Sequence, residues 1–214
     1  SYIVSVRATD SGGNTSDQTV TIRVIDVAST WTQVGNDIDG ESEYDYSGGS
    51  VSLSADGSVV AIGATGDGVN DSSSGRGHVR IFQNVSGTWT QVGNDIDGEA
   101  TGDNSGVSVS LSNDGSVVAI GATGNDGVKG AYSGRVKIFQ NVSGTWTQVG
   151  NNIDGEAKYD SSGRSVSLSA DGSVVAIGAT NNMGGTVEGD MFAGTGLATG
   201  LAYSGHVRIY QFEL

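Results

Sequence analysis

The sequence predicts an all-β protein built from three copies of one four-stranded antiparallel sheet. Near-identical segments open at Trp31, Trp89 and Trp146, which are 58 and 57 residues apart, and this spacing is typical of a structural repeat. The 214 residues include 36 glycines and no proline, a composition that favours many tight turns between short strands. The apolar residues fall in regular clusters, which indicates an ordered chain.

Residues 1–28 precede the repeats and predict a β-hairpin. Large apolar residues alternate with small or polar ones over residues 2–8 and again over 19–24, as in half-buried strands. The Asp-Ser-Gly-Gly-Asn segment at 10–14 has the composition of a tight turn. We therefore predict two domains, a hairpin at 1–28 and a repeat domain at 29–214.

Each repeat predicts four short strands. Asp-Gly and Ser-Gly turns separate the apolar runs, and glycine accepts a positive φ without a Cβ clash, so tight hairpins are favoured. The predicted strands of the first sheet are residues 50–54, 59–64, 78–83 and 89–92. The three repeats span residues 31–88, 89–145 and 146–214.

The second strand of each repeat predicts how the sheets pack. Residues 59–62, 117–120 and 174–177 all read Val-Val-Ala-Ile, whereas a strand with one solvated face would alternate. Burying a Val or Ile side chain contributes about 1.5–3 kcal/mol, but ordering each residue's backbone costs about 1–2 kcal/mol. One such sheet cannot fold alone, so each needs neighbours on both faces. Four-stranded sheets stacked in this way describe a β-propeller.

The number of repeats predicts a partner. Closed propellers typically use about four to eight blades, and this chain supplies three. We expect either further blades of a parent chain or a second copy of this chain to complete the ring. The chain begins at Ser1 inside a predicted strand, which we interpret as a piece of a longer protein.

Several short motifs carry a resemblance to a known family. They are Ser-Gly at 47–48, Val-Ser-Leu at 51–53, Asp-Gly at 56–57, Ala-Ile-Gly-Ala-Thr at 61–65 and Gly-His-Val-Arg-Ile-Phe at 77–82. Together they resemble the FG-GAP repeat of the integrin α-subunit propeller, and the resemblance spans residues 31–214. The Asp-x-Asp-x-Asp-Gly calcium loop of that family is reduced here to a single carboxylate, at Asp56, Asp114 and Asp171. Calcium takes about six to eight oxygens, so we predict that these residues only shape hairpins.

The N-terminal segment resembles the last two strands of a cadherin-like domain. The pattern runs from Tyr2 through the Gly-Gly-Asn turn to the Val-Ile-Asp-Val that ends at residue 27. The resemblance implies calcium as a cofactor, with Asp10 and Asp26 as its ligands. The linker departs from the family, because Asp-Val-Ala-Ser at 26–29 replaces the expected Asn-Asp-Asn run.

The charge balance excludes two classes of partner. Ten Lys and Arg against 24 Asp and Glu give a net charge of −14, which repels nucleic acid and anionic lipid surfaces. No apolar run approaches the roughly 20 residues that span a bilayer, so membrane insertion is not expected. The chain has no cysteine and therefore no disulfide or thiolate metal site.

Acidic segments and variable loops are the candidate binding features. Residues 37–41, 95–99 and 152–156 place carboxylates close together and predict either solvated connections or a site for calcium or a basic partner. The loop between the second and third strands varies most among the repeats, and in the third it spans 181–204. Met191, Phe192 and Tyr203 in that loop are predicted to contact a ligand, the alternative being passive flexibility.

The predicted function follows from the two resemblances. They imply a non-catalytic adhesion or binding module of a large exported bacterial protein, located at the cell surface and contacting a protein or a glycan. A carbohydrate-binding propeller is the first alternative. A propeller polysaccharide lyase or glycosidase is the second, although no sequence signature brings together a catalytic set. The prediction is therefore that the chain is not an enzyme.

Overall fold

The computed structural model describes residues 2–22, 30–66, 75–182 and 204–212. The chain divides into two compact units, Ser1–Gln33 and Val34–Leu214. All of the secondary-structure elements in the described ranges are β-strands. The predicted all-β fold class is confirmed.

The smaller unit contains the predicted hairpin. Strand β1 (Tyr2–Thr9) pairs antiparallel with β2 (Thr15–Ile22), in a register that runs from Tyr2 opposite Ile22 to Thr9 opposite Thr15. Across the pair, Arg7 Nε donates to Asp17 Oδ1 at 2.7 Å on an exposed surface. The alternating pattern therefore located β1, whereas β2 begins at Thr15, four residues before the predicted start at residue 19.

The larger unit contains three antiparallel sheets. Its strands are β3 (Ser50–Leu53), β4 (Val59–Ala64), β5 (His78–Val85), β6 (Thr88–Gln91), β7 (Ile96–Asp97), β8 (Ser105–Leu111), β9 (Val117–Ala122), β10 (Arg135–Val142), β11 (Thr145–Asp154), β12 (Ser162–Leu168), β13 (Val174–Ala179) and β14 (His206–Gln211). The first sheet has the order β3-β4-β5-β6 with β7 beside β5, the second β8-β9-β10-β11, and the third β12-β13-β14. The first two sheets take their outer strand from the Trp segment that opens the next sequence repeat, whereas the third sheet has three strands among the described residues, not the four predicted.

The sheets stack face to face, as consecutive propeller blades do. Val109 and Leu111 of the second sheet pack into one cluster with Val79 and Ile81 of the first. The next interface repeats this arrangement, with Val166 and Leu168 packed against Val136. The continuous apolar second strand is buried along its whole length in the first sheet, as the sequence predicts.

Small residues let the sheets approach closely. Ser50 Oγ donates to the Gly106 carbonyl of the second sheet at 2.7 Å, and Ser108 Oγ donates to the Gly163 carbonyl of the third at 2.8 Å. Leu111 N donates to Ser52 Oγ at 2.9 Å across the first interface. The Ser-Val-Ser-Leu-Ser strand thus sends its serines towards one neighbouring sheet and its large apolar residues towards the other.

The two outermost faces of the stack lack that cover in the described chain. Val51 and Leu53 are 64% and 59% exposed, although the matching Val109 and Leu111 are buried. At the other end, Val207 and Ile209 are 68% and 71% exposed. A further repeat unit would pack on these positions. That more blades or a second copy of the chain cover them stays a prediction.

Two of the three repeated tryptophans join parts of the stack. The Trp89 indole donates to the Val34 carbonyl and the Trp146 indole to the Val92 carbonyl, each at 2.9 Å. Trp31 lies fully exposed. The repeated indole therefore has a packing role at Trp89 and Trp146.

An aspartate organises the first hairpin turn of each sheet. In the third sheet, Asp171 Oδ1 accepts hydrogen bonds from Ser169 Oγ at 2.6 Å and from Ser173 N at 3.0 Å. The Ser169 hydroxyl, followed by the Ser173 amide, lowers the pKa of Asp171 to about 2. All the described partners of this carboxylate are donors within its own turn, which supports the hairpin role that the sequence predicts.

This turn makes stability depend on pH in the acid range. Because the folded-state pKa of Asp171 lies below its ordinary value of 3.8, the stabilisation is fully present above about pH 4 and is lost as the pH falls towards 2. We expect the difference in free energy of unfolding between the parent chain and Asp171→Asn to shrink between pH 5 and pH 2. Urea unfolding at the two pH values measures it, and a difference that did not change would contradict the assignment.

Candidate functional site

The loops at one end of the sheets form the candidate binding surface. In each sheet the first strand begins at this end, the second strand ends here and the third strand begins here. In the first sheet, Gly66 N, which follows the second strand, donates to the carbonyl of Asp45, which precedes the first strand. The same bond recurs between Gly124 N and the Asp103 carbonyl. We call this surface the loop end; its described residues are 36–49, 98–104, 124–134 and 155–161.

A buried aspartate holds the loop end in each sheet. Asp103 Oδ2 accepts from Glu99 N and Ala100 N at 3.1 Å and from Asn125 Nδ2 at 2.9 Å. Asp45 and Asp160 occupy the matching places, and all three are at most 5% exposed. Sequence analysis missed this role, although an aspartate recurring at the repeat spacing was its visible signal.

The acidic segments are integrated into the sheets through ion pairs. Arg135 Nε donates to Asp154 Oδ1 at 2.6 Å, and the same guanidinium contacts Glu99. Glu99 also accepts from Lys137, whose ammonium group lowers the pKa of that carboxyl. The expectation of solvated connections holds for residues 37–41, which form no strand and are mostly exposed. It is corrected in the other two segments, where Ile96–Asp97 forms β7 and β11 extends to Asp154.

The other two sheets repeat part of this network. Arg80 lies 3.6 Å from Glu41 in the first sheet, and Arg208 lies 3.8 Å from Glu156 in the third. The Arg80 guanidinium also donates to the Asp39 carbonyl at 2.6 Å. Carboxylates that are already paired with internal cations are poor candidates for a basic partner.

Exposed tyrosines distinguish the loop end chemically. Tyr44, Tyr46, Tyr132 and Tyr159 have φ values of 62°, 55°, 55° and 69°, in the left-handed region that bulky residues rarely adopt. The other described non-glycine residues with positive φ are small and polar: Ser86, Asn104, Ser143 and Ser161. Tyr44, Tyr46 and Tyr132 are each more than two-fifths exposed.

Two of these tyrosines form an aromatic platform between neighbouring sheets. The rings of Tyr132 and Tyr159 stack with centroids 6.1 Å apart and 19° between their planes. Lys158 Nζ lies 4.7 Å from the Tyr159 ring centroid. Backbone hydrogen bonds from Tyr159 N to the Ala131 carbonyl and from Ser161 N to the Tyr132 carbonyl fix the two loops together. Sequence analysis did not select these residues.

The residues that the sequence singled out have different outcomes. Asp10 shapes its own turn, since Oδ1 accepts from Gly12 N and Asn14 N, both at 2.9 Å, and Oδ2 accepts from Asn14 Nδ2 at 3.0 Å. The Asn14 side chain is the main cause of the lowered pKa of Asp10. Asp26, Met191, Phe192 and Tyr203 lie outside the described residues.

Comparisons with known proteins give a limited result. The sequence matches no protein-family model and no curated protein. Its structure is similar to hydrazine synthase from Kuenenia stuttgartiensis, with a TM-score of 0.41 and 12% identity over 72% of this chain and 34% of that one. It is also similar to a Bacteroides uniformis protein described as a 6-phosphogluconolactonase, with a TM-score of 0.39 and 16% identity over 85% of this chain and 48% of that one. The chain thus spans about a third and about half of the lengths of these two proteins.

In the described ranges, no helix has the length and apolar character needed to cross a bilayer.

Proposed function

We propose that this chain is a non-catalytic binding module of an exported bacterial surface protein, with FG-GAP-like repeats that follow a cadherin-like hairpin. The repeats act as a constant frame, and the loop end contacts the partner. The supporting observation is a contrast: the aspartate turns and inter-sheet serine bonds recur from sheet to sheet, while the loop end, apart from its recurring glutamate and buried aspartate, carries different residues in each. Binding residues are often placed on such loops because a rigid scaffold positions them.

The conformation of the tyrosines supports a binding role at this end. Holding a bulky residue at positive φ costs about 1–3 kcal/mol, and such strain is concentrated at functional sites. At the position matching Tyr44 and Tyr159, the second repeat has Gly102, which also has positive φ. The backbone conformation therefore belongs to the frame, and it does not require tyrosine. A partner that contacts the aromatic ring gives a reason for tyrosine in the first and third repeats.

The stacked pair favours a glycan as the partner. Tyrosine combines a flat apolar face with a hydroxyl group, so it packs against the C–H face of a sugar while remaining in contact with water. The carboxylates near the platform add hydrogen-bond acceptors, since Tyr132 N donates to Asp126 Oδ1 at 3.2 Å in the same loop. A carbohydrate-binding module is therefore the form of the proposed function with the most specific support.

A glycan-binding measurement with matched variants tests this proposal. We expect the chain to bind a subset of the glycans on an array. Tyr159→Gly, which introduces the residue of the second repeat, should weaken the affinity for the tightest-binding glycan at least tenfold. Val128→Ala, which changes an exposed residue of the neighbouring 124–134 loop, should leave the affinity unchanged. Titration calorimetry with the selected glycan gives both values.

Three other outcomes separate the alternatives. Retention of no glycan together with binding to a cell-surface protein would overturn the glycan assignment and leave the adhesion module. Release of reducing ends from a polysaccharide would contradict a non-catalytic role. Binding to neither glycans nor cells would contradict the proposed function as a whole.

A further inference from the structure

Three potential metal ligands meet beside the first sheet. His78 is the first residue of β5, Asp95 immediately precedes β7, which pairs with β5, and Glu41 lies on the loop end before β3. One ring nitrogen of His78 and one carboxylate oxygen each from Glu41 and Asp95 lie within 4.8 Å of one another. His78 is 8% exposed, whereas the Glu41 side chain is about half exposed.

The imidazole of His78 has an unsatisfied nitrogen. Among the described residues, buried Nε2 has no hydrogen-bond partner, and an Asp45 carboxylate oxygen lies 3.8 Å away. Buried polar atoms are nearly always paired, so each exception calls for an explanation. A neutral imidazole supplies a lone pair and is the commonest metal ligand among side chains.

The second sheet provides an internal comparison. Arg135 occupies the place of His78 there, Glu99 that of Glu41, and Asn152 that of Asp95. The Arg135 guanidinium fills the space between the carboxylates and bonds to Glu99 and Asp154. The first sheet therefore differs from the second at two positions of this location. His78, with a nitrogen lone pair, stands where the second sheet has the cation Arg135, and the carboxylate of Asp95 stands where it has the neutral amide of Asn152.

The surrounding charges favour a cation at the first site. The carboxylates around His78 are those of Glu41, Asp45, Asp95 and Asp97, and the cations are Arg80 beside Glu41 and Arg76, which lies 4.0 Å from Asp97. The matching region of the second sheet has the carboxylates of Glu99, Asp103 and Asp154 and the cations of Arg135 and Lys137. The excess of carboxylates is two at the first site and one at the second.

We propose that Glu41, His78 and Asp95 bind a divalent transition-metal ion of the zinc type. A nitrogen and two carboxylate oxygens suit zinc better than calcium or magnesium, which favour oxygen alone. Ligand atoms of a tetrahedral zinc ion lie about 3.4 Å apart, since each bond is about 2.0–2.2 Å. The three atoms would therefore draw together by up to about 1.4 Å on binding, and the half-exposed Glu41 side chain has room to rotate inward. Gln91 Nε2 donates to Asp95 Oδ1 at 2.6 Å and holds that carboxylate in place.

Zinc titration of the full chain and three variants tests the site. After removal of metal with a chelator, calorimetry should show one tight zinc equivalent per chain, with calcium and magnesium binding at least tenfold more weakly. His78→Arg and Asp95→Asn introduce the residues of the second sheet, so each should fold and should weaken zinc binding at least tenfold. His206→Arg changes the matching histidine of the third sheet and should leave the affinity unchanged.

NMR of the unmodified chain gives a second, independent test of the site. Zinc should shift the imidazole NMR signals of His78 and leave those of His206 in place, a readout that needs no variant to fold. The proposal would be overturned by a chain that binds no zinc, by zinc binding unaltered in His78→Arg and Asp95→Asn, or by shifts confined to His206.

Discussion

Replacing Gly121 with alanine is expected to lower the free energy of unfolding by about 3 kcal/mol or more. A Cβ at this position would lie 2.1 Å from the Gly163 carbonyl oxygen of the third sheet and 2.4 Å from Ser108 Oγ. The carbonyl is backbone, so the contact can be relieved only by moving the third sheet away from the second. Overpacking of this kind typically costs about 1–3 kcal/mol and sometimes more.

The expected loss also includes an inter-sheet hydrogen bond. Ser108 Oγ donates to the same Gly163 carbonyl at 2.8 Å, and both groups would be displaced by the new methyl group. Urea unfolding monitored by circular dichroism measures the change in stability. A variant as stable as the parent chain would show that the second and third sheets are not in contact at this position.

Replacing Ile81 with alanine is expected to cost about 3 kcal/mol, within the range of about 2–5 kcal/mol for a fully buried isoleucine. Ile81 is 1% exposed and packs with Val79, Val109 and Leu111 between the first and second sheets. Removing its side chain would leave a cavity that neither sheet can fill without losing other contacts. The same unfolding measurement gives the value.

The matched control for this change is Ile209→Ala. Ile209 occupies the equivalent strand position in the third sheet but is 71% exposed. The free energy of unfolding of Ile209→Ala is expected to differ from that of the parent chain by no more than about 0.5 kcal/mol, as for other exposed sites. The difference between the two variants cancels the change in strand propensity. Equal losses would contradict the claim that the first sheet is covered by the second.

The sequence was sufficient to predict the first hairpin of each sheet because two local signals coincide there. Val-Val-Ala-Ile marks the buried second strand in all three repeats, and Asp-Gly fixes the hairpin before it through the positive φ of the glycine. The predicted strand at 59–64 matches β4 (Val59–Ala64) residue for residue. The sequence also predicted that the second strand is buried on both faces, since consecutive apolar residues point to opposite faces of a strand.

The loop end could not be predicted in the same way, because its organisation depends on contacts between distant residues. Asp103 bonds to Asn125, which lies 22 residues later in the chain, and no local pattern specifies that pair. The acidic segments were expected to be solvated because the cations that neutralise them, Arg135 and Lys137, lie 36 and 38 residues after Glu99.

The central claim is that each sheet is held by direct contact with the next repeat, and a comparison of Gly121→Ala with Gly178→Ala tests it most directly. Both glycines would bring a Cβ to 2.4 Å from a serine hydroxyl of their own sheet, but only Gly121 also meets backbone of another repeat. The serine hydroxyl can rotate away, so Gly178→Ala should lose less than about 1 kcal/mol, whereas Gly121→Ala should lose about 3 kcal/mol or more. Equal losses of stability in the two variants would contradict the stacking of the sheets.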